Sequence, residues 1–303
     1  VIDTLTNRII LGDCLKVLPQ LPANSVDVAF ADPPFNLNKK YHTYTDQRDT
    51  NEYLDWCRHW LWEMVRVTKP TGSIFVHNIP KWLTYSANYL NEVADFRDWI
   101  AWNAPTAPMG KALQPAHYGI LYYAKHLSQN KMFEIRAPHQ RCRKCGVLIK
   151  DYGGKKQQLH PFGPLCSDMW IDIHRIRHNR QRDTHPCQLP IHLLERILLM
   201  SSDEGDVILD PFIGTGTTAI AAKRLGRNYI GIEIDPDYVK IAKNKITQTL
   251  PTSKIGDVWV SYYRNEIITI RDNDWDTLKH HFTIPNDSTL IESEKATLTH
   301  TPT

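Results

Sequence analysis

The sequence predicts an α/β fold on a largely parallel sheet, and three observations carry that expectation. Short apolar strands alternate with amphipathic helices, two of the strands end in loops that cannot extend a sheet, and a stretch of different composition interrupts the alternation. At 303 residues the chain accommodates one large domain, or a core domain with a smaller insert.

The first strand is the apolar run Val26–Ala31, which must stop at Asp32-Pro33-Pro34 because proline has no N–H to give to a ladder. A helix follows over 51–67, where Tyr53, Trp56, Cys57, Trp60, Leu61 and Met64 recur at helical spacing. Lys69-Pro70-Thr71-Gly72 breaks the chain before a buried strand at Ser73–Val76. A helix suits Lys81–Val93, and strands suit Trp99–Trp102 and Ile120–Tyr123. From about Ser128 to Asp183 the pattern fails and Gly, Pro, His, Cys and basic residues take over. Order resumes with a helix at Leu189–Met200, a strand at Val207–Leu209, a glycine loop, a helix from Thr217 and a strand at Tyr229–Ile232, a βαβ unit. Beyond Thr249 a small hairpin is expected, 258–262 against 267–270, and then a Thr- and Ser-rich end expected to be disordered. The resulting partition is 1–127 for the first half of the core, 128–183 for the insert, 184–250 for the second half and 251–303 for the appended hairpin and tail.

A hydrophobic content of 42% with 23% charged residues describes an ordinary globular protein, and no apolar run approaches the ~20 residues that span a bilayer. The start of the sequence has no signal-peptide pattern, so a cytoplasmic location is expected. Six irregularly spread cysteines argue for reduced thiols or a metal site over a disulfide framework. The net charge of +3 is concentrated in the insert.

Asp210-Pro211-Phe212-Ile213-Gly214-Thr215-Gly216-Thr217-Thr218 closes a strand and opens a helix, and its glycines let a ligand approach the backbone. The next strand ends at Glu233, where a ribose diol needs a double acceptor, while Asp235 before Pro236 is placed to cap a helix. No lysine follows the last glycine and the dinucleotide fingerprint is incomplete, so a phosphate-bearing ligand is disfavoured. At the other strand end, the Asp32 carboxylate and the loop carbonyls are acceptors for an amino group, and Phe35 offers a face on which a base stacks.

Taken together, Asp32-Pro33-Pro34-Phe35, the loop 210–218 and Glu233 resemble the amino-methyltransferases of DNA, of adenine-N6 and cytosine-N4 type. The early catalytic strand, central insert and late cofactor loop are similar to the β group of that family, over roughly residues 7 to 250. Gly12-Asp13-Cys14, Lys69-Pro70-Thr71-Gly72 and His185-Pro186-Cys187-Gln188-Leu189-Pro190 add smaller matches. The resemblance implies a Rossmann-like, S-adenosylmethionine-dependent methyltransferase fold with an inserted target-recognition region. It implies Asp32, Pro33, Pro34 and Phe35 as the catalytic loop, with Asp32 and the Pro33 carbonyl accepting the amino hydrogens during in-line transfer to a flipped-out base. Cofactor contacts then fall on Asp13, Cys14, Asp32, Gln188 and Asp210, and on Phe212, Gly214, Gly216, Thr217 and Glu233. Trp102 or Tyr118 is a candidate second aromatic around the base, with core packing as the alternative for each. The resemblance favours N6 of adenine, with N4 of cytosine as the alternative; a catalytically silent nucleic-acid-binding module that keeps the fold and methylation of RNA or protein amines are the competing classes.

Pro186-Cys187-Gln188 mimics the nucleophile motif of the cytosine-C5 enzymes, but it precedes the cofactor loop, so Cys187 is read as a structural thiol. Cys142 and Cys145 have zinc-knuckle spacing, and Cys166 with His139 or His160 completes four ligands for a structural zinc; two unconnected surface cysteines are the alternative. Arg175, Arg177, Arg180 and Arg182 form the densest basic cluster, suited to duplex phosphates. The expected partners are double-stranded DNA and, within a restriction-modification system, a cognate endonuclease, with monomer and homodimer both open.

Overall fold

A computed structural model of the chain describes residues 5–39, 46–104, 113–135, 165–171, 173, 175–176 and 188–249. The strands are β1 (Arg8–Leu11), β2 (Val26–Ala31), β3 (Thr68–Asn78), β4 (Asp95–Asn103), β5 (His117–Ala124), β6 (Met169–Trp170), β7 (Val207–Asp210) and β8 (Asn228–Glu233). Among the described residues they form one eight-stranded sheet in the order β1-β8-β7-β2-β3-β5-β4-β6. Only β5 is antiparallel to its neighbours, β3 and β4; the other pairs are parallel. The α/β class and the mostly parallel sheet expected from the sequence are present.

Six α-helices accompany the sheet in the described residues: α1 (Cys14–Val17), α2 (Thr50–Val67), α3 (Pro80–Val93), α4 (Ile191–Ser201), α5 (Thr217–Arg224) and α6 (Pro236–Gln248). In α2 the Asp49 carboxylate accepts the Asn51 N–H at 2.8 Å and satisfies one of the free donors of the first turn. Its buried face, Tyr53, Cys57, Trp60, Leu61 and Met64, follows the helical repeat seen in the sequence. That face shares one core with Leu83 and Leu90 of α3 and with alternate strand residues, Ala29 and Ala31, Ile74 and Val76, Leu121 and Tyr123. Each large apolar side chain buried there is worth about 1.5–3 kcal/mol over leaving it in water. The helices α4, α5 and α6 pack in sequence against one another, and α5 and α6 lie on β7, β8 and β1.

Three features differ from the sequence reading. Lys69-Pro70-Thr71-Gly72 does end the helix, but it stays within β3: the pairing with β2 jumps from Val26↔Thr68 to Val28↔Ser73, so the tetrapeptide is a bulge. Glycine is needed at 72 because a Cβ there would stand 2.6 Å from the Asp27 carbonyl oxygen. The edge strand β1 carries too weak an alternation to stand out, with Ile9 buried between the exposed Arg8 and the half-buried Ile10. The short β6 lies inside the stretch assigned to the insert, yet pairs with β4 and buries Trp170.

Residues 1–132 and 168–251 form one compact unit. A second unit takes in 133–167 and 252–303; of its described residues, Cys166 donates its N–H to the Ile135 carbonyl at 2.8 Å. The hairpin expected at 258–270 lies outside the described residues. Within the first unit the buried Asp27 carboxylate binds Lys69 Nζ at 2.9 and 2.8 Å and the Val207 N–H at 2.9 Å, tying together the starts of β2, β3 and β7. No described helix is long and apolar enough to cross a membrane.

Candidate active site

The loop leaving β2 is held by three neighbouring elements. Because Ala31 sits beside Val76 in the parallel register, the next residues, Asp32 and His77, meet side by side, with His77 Nδ1 2.7 Å from Asp32 Oδ1. From α2, the Tyr53 hydroxyl donates to the Pro34 carbonyl at 2.7 Å, and burial holds that hydroxyl protonated well above the ordinary tyrosine range. From α3, Trp82 Nε1–H donates to the Phe35 carbonyl at 2.6 Å. Between those two pinned carbonyls and Asp32, the Pro33 carbonyl takes no hydrogen bond among the described residues.

The second loop follows β7. Asp210 Oδ1 accepts the Phe212 N–H at 2.9 Å and Oδ2 accepts the Thr218 hydroxyl at 2.5 Å, which folds the loop back on the start of α5. Glu233, ending β8, accepts the Gly214 N–H at 2.9 Å and the Asp235 N–H at 2.8 Å, one on each carboxylate oxygen, leaving each oxygen a further lone pair. Asp235 is spent on capping α6, where it accepts the Asp237 N–H at 2.8 Å, as its place before Pro236 predicts. Asp13 caps α1 through the Leu15 N–H at 3.0 Å. The thiol of Cys14 is pushed up to about 12, chiefly by burial and then by the Asp13 charge, so it remains a neutral wall.

Both loops open on one cavity of about 470 Å³, the size of a small-molecule site. Of the residues named from the sequence for catalysis and for the cofactor, all but Gly216 line it. Gly216 has φ +92° at the start of α5, and a Cβ on it would lie 3.0 Å from the Ala242 Cβ of α6, so the helix contact by itself calls for glycine there. Among the described residues lining the cavity, the acids Asp13, Asp32, Asp46, Asp210 and Glu233 have Arg48 as their one basic companion. Such a wall suits a cationic ligand and opposes a phosphate.

Burial, with the charges of Asp32 and Glu233 adding, raises the Asp210 carboxyl to about 7, against the opposing hydrogen bonds from Thr218 and Phe212. A raised folded-state value stabilises the ligand-free fold fully below the ordinary carboxylate range and loses that contribution as pH rises through 7. A cation in the cavity favours the ionised carboxylate, so its affinity runs the other way. Calorimetry of a cationic ligand at pH 6 and pH 8 is expected to show about a tenfold tighter complex at pH 8, with proton release near pH 7. An affinity independent of pH would remove Asp210 from the ligand field.

Aromatic groups surround the acids. Trp56, which also lines the cavity, lies 5.5 Å from the Phe212 ring, and the Arg48 guanidinium lies 4.8 Å from the Trp56 ring centroid. Phe35 is itself buried, with His77 at 5.6 Å and Tyr118 at 5.8 Å between ring centroids. Of the two candidate base-stacking partners, Tyr118 adjoins Phe35 and is partly exposed, whereas Trp102 is buried and its Nε1–H is spent on the Ile173 carbonyl at 2.7 Å. Sequence reasoning missed His77, Tyr53, Trp82 and Trp56. The signal for the first was the polar pair His77-Asn78 closing an apolar strand next to β2.

Arg175 is described, its guanidinium 5.7 Å from the Tyr118 ring centroid, while Arg177, Arg180 and Arg182 lie outside the described residues. So do Cys142, Cys145, His139, His160 and Cys187. Cys166 is described as a reduced thiol, and no cluster of metal-binding side chains occurs among the described residues.

Known proteins resemble the chain over most of its length. The chain is 46% identical over 226 residues to the type II methyltransferase M.BamHI of Bacillus amyloliquefaciens, covering 74% of this chain and 53% of that one, so it spans about half the length of that relative. It is 34% identical over 248 residues to the type II methyltransferase M.HpaI of Haemophilus parainfluenzae, covering 80% and 74%. The fold matches the crystal structure of TTHA0409 of Thermus thermophilus, assigned as a DNA modification methylase and complexed with S-adenosyl-L-methionine, with a TM-score of 0.56 at 23% identity over 81% of this chain and 95% of that one. A family model described as DNA methylase, of N6 and N4 type, matches residues 26–244, from the first residue of β2 to the last turns of α6, and the chain belongs to that family.

Proposed function

We propose that the chain transfers a methyl group from S-adenosylmethionine to an exocyclic amino nitrogen of a base in duplex DNA. The observation that carries this reading is the convergence of Asp32 and the unclaimed Pro33 carbonyl with the Gly214 loop and Glu233 on one acid-lined cavity. The residues fit the donor: the carboxylates suit its positive charges, the spare lone pairs of Glu233 suit a ribose diol, and Trp56 and Phe212 supply apolar surface for the adenine. When bound, its sulfonium supplies a methyl group already activated for direct displacement.

The work of the chain is then positional. An amino group conjugated with a heteroaromatic ring is planar and a poor nucleophile. Acceptors on both of its hydrogens, the free Asp32 oxygen and the Pro33 carbonyl, draw it toward a geometry in which the lone pair faces the cavity. The nitrogen gains the methyl carbon and gives up one proton, for which Asp32 is the nearest base. A paired base cannot reach this loop, so the target must leave the stack, and the partly exposed Tyr118 with Arg175 beside it offers the landing surface. Arg177, Arg180 and Arg182 are proposed to meet the phosphates, Cys142, Cys145 and Cys166 with His139 or His160 to hold a structural zinc, and residues from the insert to read the sequence.

The acceptor pair addresses an N–C–NH₂ edge, which adenine presents at N6 and cytosine at N4. The sequence resemblance puts adenine first, and the geometry serves both. The test is expression in a host whose DNA carries neither modification, followed by digestion and mass spectrometric counting of both methylated nucleosides. Adenine N6 is the first expectation; N4-methylcytosine alone would reassign the base and keep the chemistry. Absence of both, with DNA bound and the donor bound, would overturn the reading.

A further inference from the structure

We infer that His77 is a positioning residue for the proposed transfer: its Nδ1–H holds one oxygen of Asp32 so that the other is presented to the amino group. The inference rests on the proposed function and adds a residue that the sequence motifs do not contain.

The geometry begins in the sheet. The β2–β3 register sets position 77 beside position 32 without help from any loop, and the two side chains meet at 2.7 Å with only 3% and 15% of their surfaces exposed. A carboxylate only accepts hydrogen bonds, so a neutral His77 facing it carries its proton on Nδ1. The other ring nitrogen agrees with that assignment: Nε2 is buried and has no hydrogen-bond partner, so the Nδ1 bond is the one polar tie the side chain makes in the described residues. Leaving a buried nitrogen unmatched carries a desolvation penalty that an apolar side chain of similar size would avoid. The side chain cannot swing away, because Phe35, Tyr118 and Trp102 surround the ring at centroid distances of 5.6, 5.2 and 5.8 Å.

What the bond accomplishes follows from the torsion it blocks. The terminal torsion of an aspartate is broad and two-fold, so a free Asp32 side chain would sample many orientations of its oxygens. With Oδ1 engaged from β3, rotation of the carboxylate is restricted, and Oδ2 takes no hydrogen bond among the described residues. The loop is therefore fixed at Asp32, Pro34 and Phe35 by His77, Tyr53 and Trp82, and its remaining acceptors are the two that the chemistry uses. A bond from a ring packed in apolar surroundings is also stronger than the same bond in water.

Three variants separate this role from mere packing. Asparagine places an amide donor near the position of Nδ1, glutamine places it near Nε2, and leucine supplies volume without a donor. His77→Leu is expected to slow single-turnover methyl transfer about 10²-fold, with the dissociation constants for donor and DNA unchanged within about twofold. His77→Asn is expected to regain at least about tenfold of that loss, and His77→Gln none of it. Equal rates for the Asn, Gln and Leu variants would overturn the inference, as would a loss expressed only in donor or DNA affinity. If the leucine variant does not fold, the Asn and Gln variants decide the question between themselves. Asp32→Ala measured alongside keeps the two proposals apart. An active Asp32→Ala refutes the reading of the site, whereas an inactive Asp32→Ala beside a fully active His77→Leu refutes only the part given to His77.

Discussion

Asp32→Ala is expected to lower the rate of methyl transfer by about 10²–10³-fold, the usual cost of removing one preorganised partner of a reacting group, while the protein stays folded and binds its donor. The Asp32 side chain is 15% exposed and its one side-chain partner among the described residues is His77, so truncation removes the carboxylate charge altogether and leaves the buried His77 Nδ1 without an acceptor, a cost of about 1–3 kcal/mol that a chain of this size tolerates. The surrounding loop stays anchored through the Pro34 and Phe35 carbonyls. One secondary effect separates this outcome from general damage. The Asp32 charge is among the causes that raise Asp210, so its removal lowers Asp210 and moves the proton release on donor binding to lower pH. Rapid-quench transfer of a labelled methyl group, paired with calorimetry at several pH values, reads both. A transfer rate within tenfold of the parent would mean that Asp32 does not hold the reacting amine.

Gly216→Val is expected to destabilise the protein by about 2–5 kcal/mol, combining a left-handed backbone forced on a β-branched residue with overpacking at a helix contact. The backbone sits at φ +92°, and the new Cβ would meet Ala242 at 3.0 Å to its Cβ and 3.3 Å to its Cα. For a chain of this size the melting temperature should fall by roughly 10 °C. The measurement also decides between two roles for the same glycine. A packing role predicts near-normal donor affinity for the molecules that remain folded, because Gly216 does not line the cavity. Lost affinity with an unchanged melting temperature would instead return Gly216 to the ligand contacts expected from the sequence.

The sequence made the parallel core and most of the site legible because each rests on a local signal. Val26–Ala31 is buried throughout and apolar at every position but Asp27 because both faces of β2 are covered, and prolines mark where it must stop. Loop 210–218 advertises itself through glycines, and Glu233 through its place at the next strand end. What stayed hidden depends on register, which no local pattern encodes. His77 becomes meaningful only once Val76 is known to lie beside Ala31, and Tyr53 and Trp82 read as ordinary core positions until their polar tips are seen to reach the loop carbonyls. Gly216 shows the opposite case: the glycine stands inside a ligand motif, and its lack of a side chain also serves the contact between α5 and α6, which the motif does not reveal. The Lys69–Gly72 bulge looks like a break in the sequence because proline and glycine carry the same signature in a bulge as between elements.

Asp27 has a consequence for how such a protein can change over time. Its carboxylate clamps the beginnings of β2, β3 and β7, while Asp32, His77 and Asp210 sit at the far ends of the same three strands. One border of the sheet thus carries mechanical integrity and the opposite border carries the side chains proposed for the reaction, separated by the length of a strand. Substitutions near the clamp can trade robustness up or down without touching the reacting groups, and the reactive border can be retuned without loosening the strands beneath it. Descendants of this chain therefore have two nearly independent dials, one for endurance and one for chemistry.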